Sequence, residues 1–322
     1  MQKRQRRRIW AVIALAMAGA GLIGLAAVAA PAPGLTAPQP IPEHGSRLTL
    51  ETPGQPPVAL YYEEHGKGPP LLLLHGLGES IFTWHEILPA LAARHRVIAL
   101  DLKGFGRSDK PDDGAYSADD QALLVARFIR KRGLAGLTLV GHSFGGTVAL
   151  RTALADGIAG TGHVRRIAVI AAPALPRATA RHLDLVTTPL IPDTVAAVMP
   201  PDAAARLLLR EAMGGRTPSE RHVEGYAAPY REPGAMRAFL ATARAIINEQ
   251  DADAITARYR TLKLPTLVVW CRKDPIVPLR SGRQLAAALP RARLAILEGC
   301  HHLPQHERPR QLLRTLTPFL GR

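Results

Sequence analysis

The segment from Leu137 to Leu150 restricts the possible folds of this chain more than any other. It reads as a short apolar strand (Leu137-Thr138-Leu139-Val140), a turn (Gly141-His142-Ser143-Phe144-Gly145-Gly146) and the start of a helix (Thr147-Val148-Ala149-Leu150). Glycines on both sides of Ser143 let the helix and a neighbouring strand approach closely, while the serine is held in a strained, exposed conformation. A plainer reading is also open, in which the turn is simply glycine-rich and Ser143 caps the helix.

The chain around this unit has a matching pattern. From about Ser46, short apolar runs alternate with helical stretches, which predicts a mostly parallel sheet covered on both faces by helices, an α/β architecture. The candidate strands are Leu48–Leu50, Val58–Tyr62, Leu71–Leu74, Val97–Leu100, Leu137–Val140, Val164–Ile170, Thr266–Trp270 and Leu294–Leu297. Ser117 and Asp120 form a capping box ahead of Leu123, Leu124, Phe128 and Ile129, and Trp84, Leu88 and Leu91 recur at helical spacing. Between Pro173 and about Thr261 strand patterning stops, and Met236, Phe239, Leu240, Ala243, Ile246 and Ile247 fall on one helical stripe. Strand patterning resumes at Leu264, so a helical cap over 173–261 is predicted to interrupt one core formed by 46–172 and 262–322.

The net charge of +15 needs its own explanation. Five of those charges are Lys3, Arg4, Arg6, Arg7 and Arg8, directly ahead of 22 uncharged, mostly apolar residues from Ile9 to Ala30. A basic head on an apolar run is an export or anchoring signal, and 22 residues suffice to span about 30 Å of hydrocarbon. Residues 1–30 are therefore expected to anchor the protein in a membrane with the remainder outside the cytoplasm. Cleavage after Ala27-Val28-Ala29, giving a secreted or periplasmic protein, is the alternative, and a twin-arginine signal at Arg6-Arg7-Arg8 is a weaker one. Residues 31–45, with five prolines, read as an extended linker. The remaining +10 is mostly dispersed arginine without interleaved aromatics, which argues against nucleic acid as a partner.

Two further segments carry chemistry. Cys271-Arg272-Lys273-Asp274 follows the strand at Thr266–Trp270, and Gly299-Cys300-His301-His302-Leu303-Pro304 follows the strand at Leu294–Leu297. A serine hydroxyl is a weak nucleophile until a base takes its proton and an acid orients that base, so Ser143 needs a histidine and a carboxylate from elsewhere.

Together with His75-Gly76-Leu77-Gly78 and the loop from Asp101 to Asp109 (Asp-Leu-Lys-Gly-Phe-Gly-Arg-Ser-Asp), these segments resemble the α/β-hydrolase superfamily over about Leu60 to the C-terminus. The resemblance implies an eight-stranded α/β-hydrolase fold whose catalytic residues run in the order Ser143, Asp274, histidine. Aligned on Glu307-Arg308-Pro309, the histidine falls on His302, and His301 stands where glycine is usual. Backbone N–H groups of Leu77 and Phe144 are the implied oxyanion donors. His75 and His142 are then loop-packing residues, Asp101 and Asp109 turn formers, and Trp84 a packing residue. The remaining histidines, His44 and His65 among them, show no metal-ligand spacing.

The implied activity is hydrolysis of a small to medium carboxylic ester through an acyl-enzyme, with a small-molecule ester or acyl substrate and no metal or organic cofactor. A carbon–carbon bond hydrolase and a cofactor-free perhydrolase share this triad, and a catalytically silent, surface-tethered binding protein is the alternative of a different class. Serine at the elbow argues against haloalkane dehalogenases and epoxide hydrolases, which use aspartate there. Outside the cytoplasm Cys271 and Cys300, on neighbouring strands in such a fold, are open to pairing as a disulfide; two small free thiols are the other reading.

Overall fold

The computed structural model describes residues 42–52, 54–175, 199–248 and 252–321. The expected anchor at 1–30 lies outside them, as do most of the linker and residues 176–198 and 249–251 of the expected cap. No helix among the described residues is long and apolar enough to cross a membrane.

Eight strands form one sheet in the order β1-β2-β4-β3-β5-β6-β7-β8. They are β1 (Gly45–Thr52), β2 (Gln55–His65), β3 (Pro70–Leu74), β4 (Arg96–Leu100), β5 (Leu137–His142), β6 (Val164–Ile170), β7 (Thr266–Cys271) and β8 (Ala292–Leu297). β1 and β2 are antiparallel, β2 runs antiparallel to β4, and every pairing from β4 to β8 is parallel. Each of the eight predicted strands lies within an observed one.

Parallel strands buried on both faces should be continuously apolar rather than alternating. Leu71 to Leu74, Leu139 with Val140, and Leu267 to Cys271 have essentially no exposure. The helices covering them begin with α1 (Leu88–Ala92), α2 (Ala118–Lys131) and α3 (Phe144–Ile158). α2 starts on the predicted capping box: Ser117 Oγ accepts from Asp120 N at 3.1 Å, and Asp120 Oδ2 accepts from Ser117 N at 3.0 Å. Trp84 ends a 3-10 turn, Ile81–Trp84, and is wholly buried in the core.

Between β6 and β7 come α4 (Pro201–Ala212), α5 (Glu220–Ala227), α6 (Ala235–Asn248) and α7 (Ala252–Arg260). Ala205, Leu209, Met213, Val223 and Ala227 form a small apolar cluster of their own that docks on Leu303. The chain closes with α8 (Leu279–Ala288), the single turn α9 (Pro304–Glu307) and α10 (Pro309–Leu320).

This topology positions the site. β3, β5, β7 and β8 are mutually parallel, so the residues that follow them emerge at one sheet edge: His75, Ser143, Asp274 and His302.

Candidate active site

Ser143 stands between β5 and α3 with φ 49° and ψ −122°, a conformation that costs an ordinary residue about 1–3 kcal/mol. The surrounding backbone holds it there. Ser143 N donates to Ile170 O at 2.8 Å, and the Ser143 carbonyl accepts from Gly146 N at 2.9 Å. The glycines have steric reasons: a Cβ on Gly145 would lie 2.3 Å from the carbonyl oxygens of Leu74 and His75, and one on Gly141 would lie 2.3 Å from Gly145 O. The Ser143 side chain makes no helix-capping hydrogen bond, which removes the plainer reading of this turn.

Instead, Ser143 Oγ lies 3.1 Å from His302 Nε2, and His302 Nδ1 lies 2.9 Å from Asp274 Oδ2. All three are buried. The other carboxylate oxygen, Asp274 Oδ1, accepts from Ile276 N and Val277 N, each at 2.9 Å, so the β7 loop aims Asp274 at the imidazole. An acceptor-only carboxylate fixes the proton on Nδ1 and leaves the Nε2 lone pair facing the hydroxyl. Leu77 and Phe144 border the same cavity as Ser143, and a Cβ on Gly76 would lie 3.0 Å from Ser143 Cβ. His301 turns away; its Nδ1 and backbone N each bond Glu307 at 2.8 Å.

The cysteines are joined: Cys271 and Cys300 form a disulfide whose Cα atoms are 5.4 Å apart. It ties the end of β7, just ahead of the Asp274 loop, to the loop before His302. For a closed loop of this size, the lost chain entropy of the unfolded state is worth about 3.5 kcal/mol. The double variant Cys271→Ala/Cys300→Ala is expected to melt about 10 °C lower in calorimetry. An unchanged melting temperature would show that the bridge is energetically idle.

One buried acid escaped the sequence reading. Glu79, in the loop after β3, accepts from Gly76 N at 2.8 Å and pairs with His142 Nδ1 at 3.0 Å, while His142 Nε2 donates to His302 O at 2.9 Å. Burial alone would raise the Glu79 carboxyl, but the charge and hydrogen bond of His142, with Gly76 N–H, hold it at about 2. Burial would likewise lower His142, yet the Glu79 carboxylate and the His302 carbonyl raise it. His142 thus braces the Gly76 loop, through Glu79, against the His302 loop, and its raised pKa favours the charged form. His75 and Asp101 fix loops as turn residues do: His75 Nε2 accepts from Leu102 N at 3.0 Å, and Asp101 accepts from Ile81 N and Arg107 N at 2.8 Å each.

The linkage has two signs. Glu79 contributes stability that is full above the ordinary carboxyl pKa near 4.5 and is lost as pH falls towards its folded value of about 2. The stability from His142 is full below about 6.5 and is lost as pH rises through its raised folded value. Glu79→Gln, which strands a buried imidazolium, is expected to cost about 3 kcal/mol in urea unfolding at pH 6. That difference should shrink towards zero near pH 2; a difference independent of pH would contradict the ion pair.

The cavity in front of Ser143 is apolar. The α6 stripe supplies Met236, Phe239, Ile246 and Ile247, and α4 adds Leu208 and Leu209. Its polar exceptions are Ser143, His302, Glu79, Tyr226 and Tyr230, and none of the described lining residues is a lysine or arginine. Tyr230 Oη is buried without a hydrogen-bond partner among the described residues.

Residues 69–309 match the model of the alpha/beta hydrolase fold family. The chain is 31% identical over 271 residues to the pimeloyl-(acyl-carrier protein) methyl ester esterase of Aeromonas hydrophila, covering 82% of this chain and all of that one. It is 29% identical over 302 residues to the 2-hydroxymuconate semialdehyde hydrolase of Pseudomonas sp. strain CF600, covering 89% and 97%. Among solved structures, the meta-cleavage product hydrolase of Pseudomonas fluorescens IP01 superposes with a TM-score of 0.68 at 27% identity, covering 82% of this chain and 94% of that one.

Proposed function

The chain belongs to the alpha/beta hydrolase fold family and is a hydrolase, and from that premise we propose that it cleaves uncharged carboxylic esters through an acyl-enzyme on Ser143. The observation that carries the reading is the hydrogen-bonded chain from Ser143 Oγ through His302 to Asp274 on a strained turn. His302 Nε2 takes the proton as Oγ attacks the carbonyl, and Asp274 stabilises the resulting imidazolium. The backbone N–H groups of Leu77 and Phe144 hold the oxyanion; the proton then passes to the leaving alcohol, and water releases the acid. No step in this scheme calls for a metal or organic cofactor.

The cavity lining supports an ester with an apolar, uncharged acyl group. A carboxylate-bearing substrate would meet no cation among the described lining residues and would approach the Glu79 carboxylate. Carbon–carbon bond cleavage is the second reading, favoured by the 29% identity to an enzyme named as a 2-hydroxymuconate semialdehyde hydrolase. The two are separated by assaying p-nitrophenyl esters of graded chain length against a vinylogous diketone acid. The ester reading expects kcat/KM at least about 100-fold higher on esters, and a preference for the diketone acid would replace it.

We place the protein outside the cytoplasm, held by its N-terminal segment. The support is the basic-apolar pattern of 1–30 and the Cys271–Cys300 disulfide, a bond that persists in oxidising compartments.

A further inference from the structure

Away from the serine, a second polar cluster joins three separate segments of the chain. His85 and Glu86 follow the 3-10 turn Ile81–Trp84, His222 lies on α5, and His306 lies on α9, four residues beyond His302. One ligand atom from each of these four residues falls within 4.8 Å of all the others. Glu86 Oε1 is at the centre: 2.9 Å from His222 Nε2, 3.6 Å from His85 Nε2 and 3.7 Å from His306 Nδ1.

An outer hydrogen bond to a carbonyl decides which nitrogen of His85 faces inward with a lone pair. His85 Nδ1 donates to the Phe82 carbonyl at 2.8 Å, so its Nε2 turns a bare lone pair towards Glu86. His306 Nε2 bonds the Tyr226 hydroxyl at 2.9 Å, and that hydroxyl is held in turn by Thr83 Oγ1 at 2.9 Å. The His306 side chain has no exposure, and its Nδ1, aimed into the cluster, has no hydrogen-bond partner among the described residues. His222 Nε2 hydrogen-bonds Glu86 Oε1 at 2.9 Å, whereas the bare lone pair of His85 Nε2 faces the same oxygen at 3.6 Å and repels it unless a proton or a cation lies between them.

We propose that His85 Nε2, His222 Nε2, His306 Nδ1 and Glu86 Oε1 form a structural site for a zinc-type divalent ion. Tetrahedral coordination with bonds of about 2.0–2.1 Å places ligand atoms about 3.4 Å apart, and the three separations to Glu86 Oε1 bracket that value. A second hydrogen bond on the far side of a ligating ring, as His85 and His306 both have, is the usual means of fixing a metal-binding tautomer. Glu86 is the most exposed of the four side chains, at 26%, and gives the ion a way in. Four protein ligands leave no open position, so the site is a clip and not a centre of catalysis. It fastens α5 to the core and to the turn following His302. Tyr226, which holds His306, also borders the substrate cavity, so the clip fixes part of the cavity wall. The ligands are hidden from sequence spacing because they come from three distant segments.

The test uses the untagged protein stripped with EDTA and titrated with zinc chloride by calorimetry, with melting temperature as a second readout. The expected result is one zinc per chain, with a melting temperature higher by several degrees at saturation. His222→Ala and Glu86→Gln, shown by circular dichroism to fold without zinc, should each weaken binding at least about 100-fold and abolish the thermal shift. His44→Ala should leave both unchanged. Absence of saturable binding, or undiminished binding in both ligand variants, would overturn the assignment.

Discussion

Ser143→Ala is expected to lower kcat on an activated ester by about 10⁵-fold or more, with a melting temperature within a few degrees of the parent. The size follows from removing the only group that forms the covalent intermediate. What then remains is binding and oxyanion stabilisation, worth about 10³–10⁴ over water. Stability should be nearly unaffected because the turn is held by the backbone: Ser143 N to Ile170 O, and Gly146 N to Ser143 O. Alanine faces the same positive φ that serine does, and the hydroxyl contributes no helix cap. A variant retaining more than about one hundredth of the parental kcat would remove Ser143 from the chemistry.

Asp274→Asn is expected to cost about 10⁴-fold in kcat with little change in KM. Asp274 divides its two oxygens between tasks: Oδ1 accepts from Ile276 N and Val277 N, and Oδ2 faces His302 Nδ1. An asparagine keeps the loop if its carbonyl oxygen takes the Oδ1 place, which leaves its NH₂ against Nδ1. The imidazole must then accept there and carry its proton on Nε2, where it can no longer take one from Ser143. The fold survives and the base is lost. Asp274→Ala should add a loss of stability, because the N–H groups of Ile276 and Val277 lose their acceptor. Comparing the pair separates the tautomer effect from the structural one.

How much of this was readable in advance depends on how local each signal is. Strands such as β3, β5 and β7 were legible because buried parallel strands are continuous apolar runs, and the Ser117–Asp120 cap was legible because a capping box spans four consecutive residues. The α6 helix was legible as a stripe, but not that Met236, Phe239, Ile246 and Ile247 would border the cavity, since periodicity gives a face and not its neighbour. Ser143, Asp274 and His302 were found through motif and chain order, and these are the three side chains that meet. Glu79 carried no such signal. A single glutamate after a glycine loop reads as solvated surface until the fold brings His142 to 3.0 Å. His142 itself was read as loop packing, yet it bridges to the His302 carbonyl. The cluster of Glu86 and the three histidines is more distant still in sequence, from residue 85 to residue 306. The N-terminal segment at 1–30 lies outside the described residues, so the expectation that it anchors the protein rests on its sequence pattern.

The central claim is that Ser143 is the nucleophile of a serine hydrolase, and covalent labelling tests it most directly. The parent protein is incubated with a fluorophosphonate, its intact mass measured, and the modified residue located by peptide sequencing. The account predicts one phosphonyl group per chain, on Ser143, with esterase activity lost in proportion to labelling. Modification at another residue, or full ester turnover by protein labelled on Ser143, would contradict it.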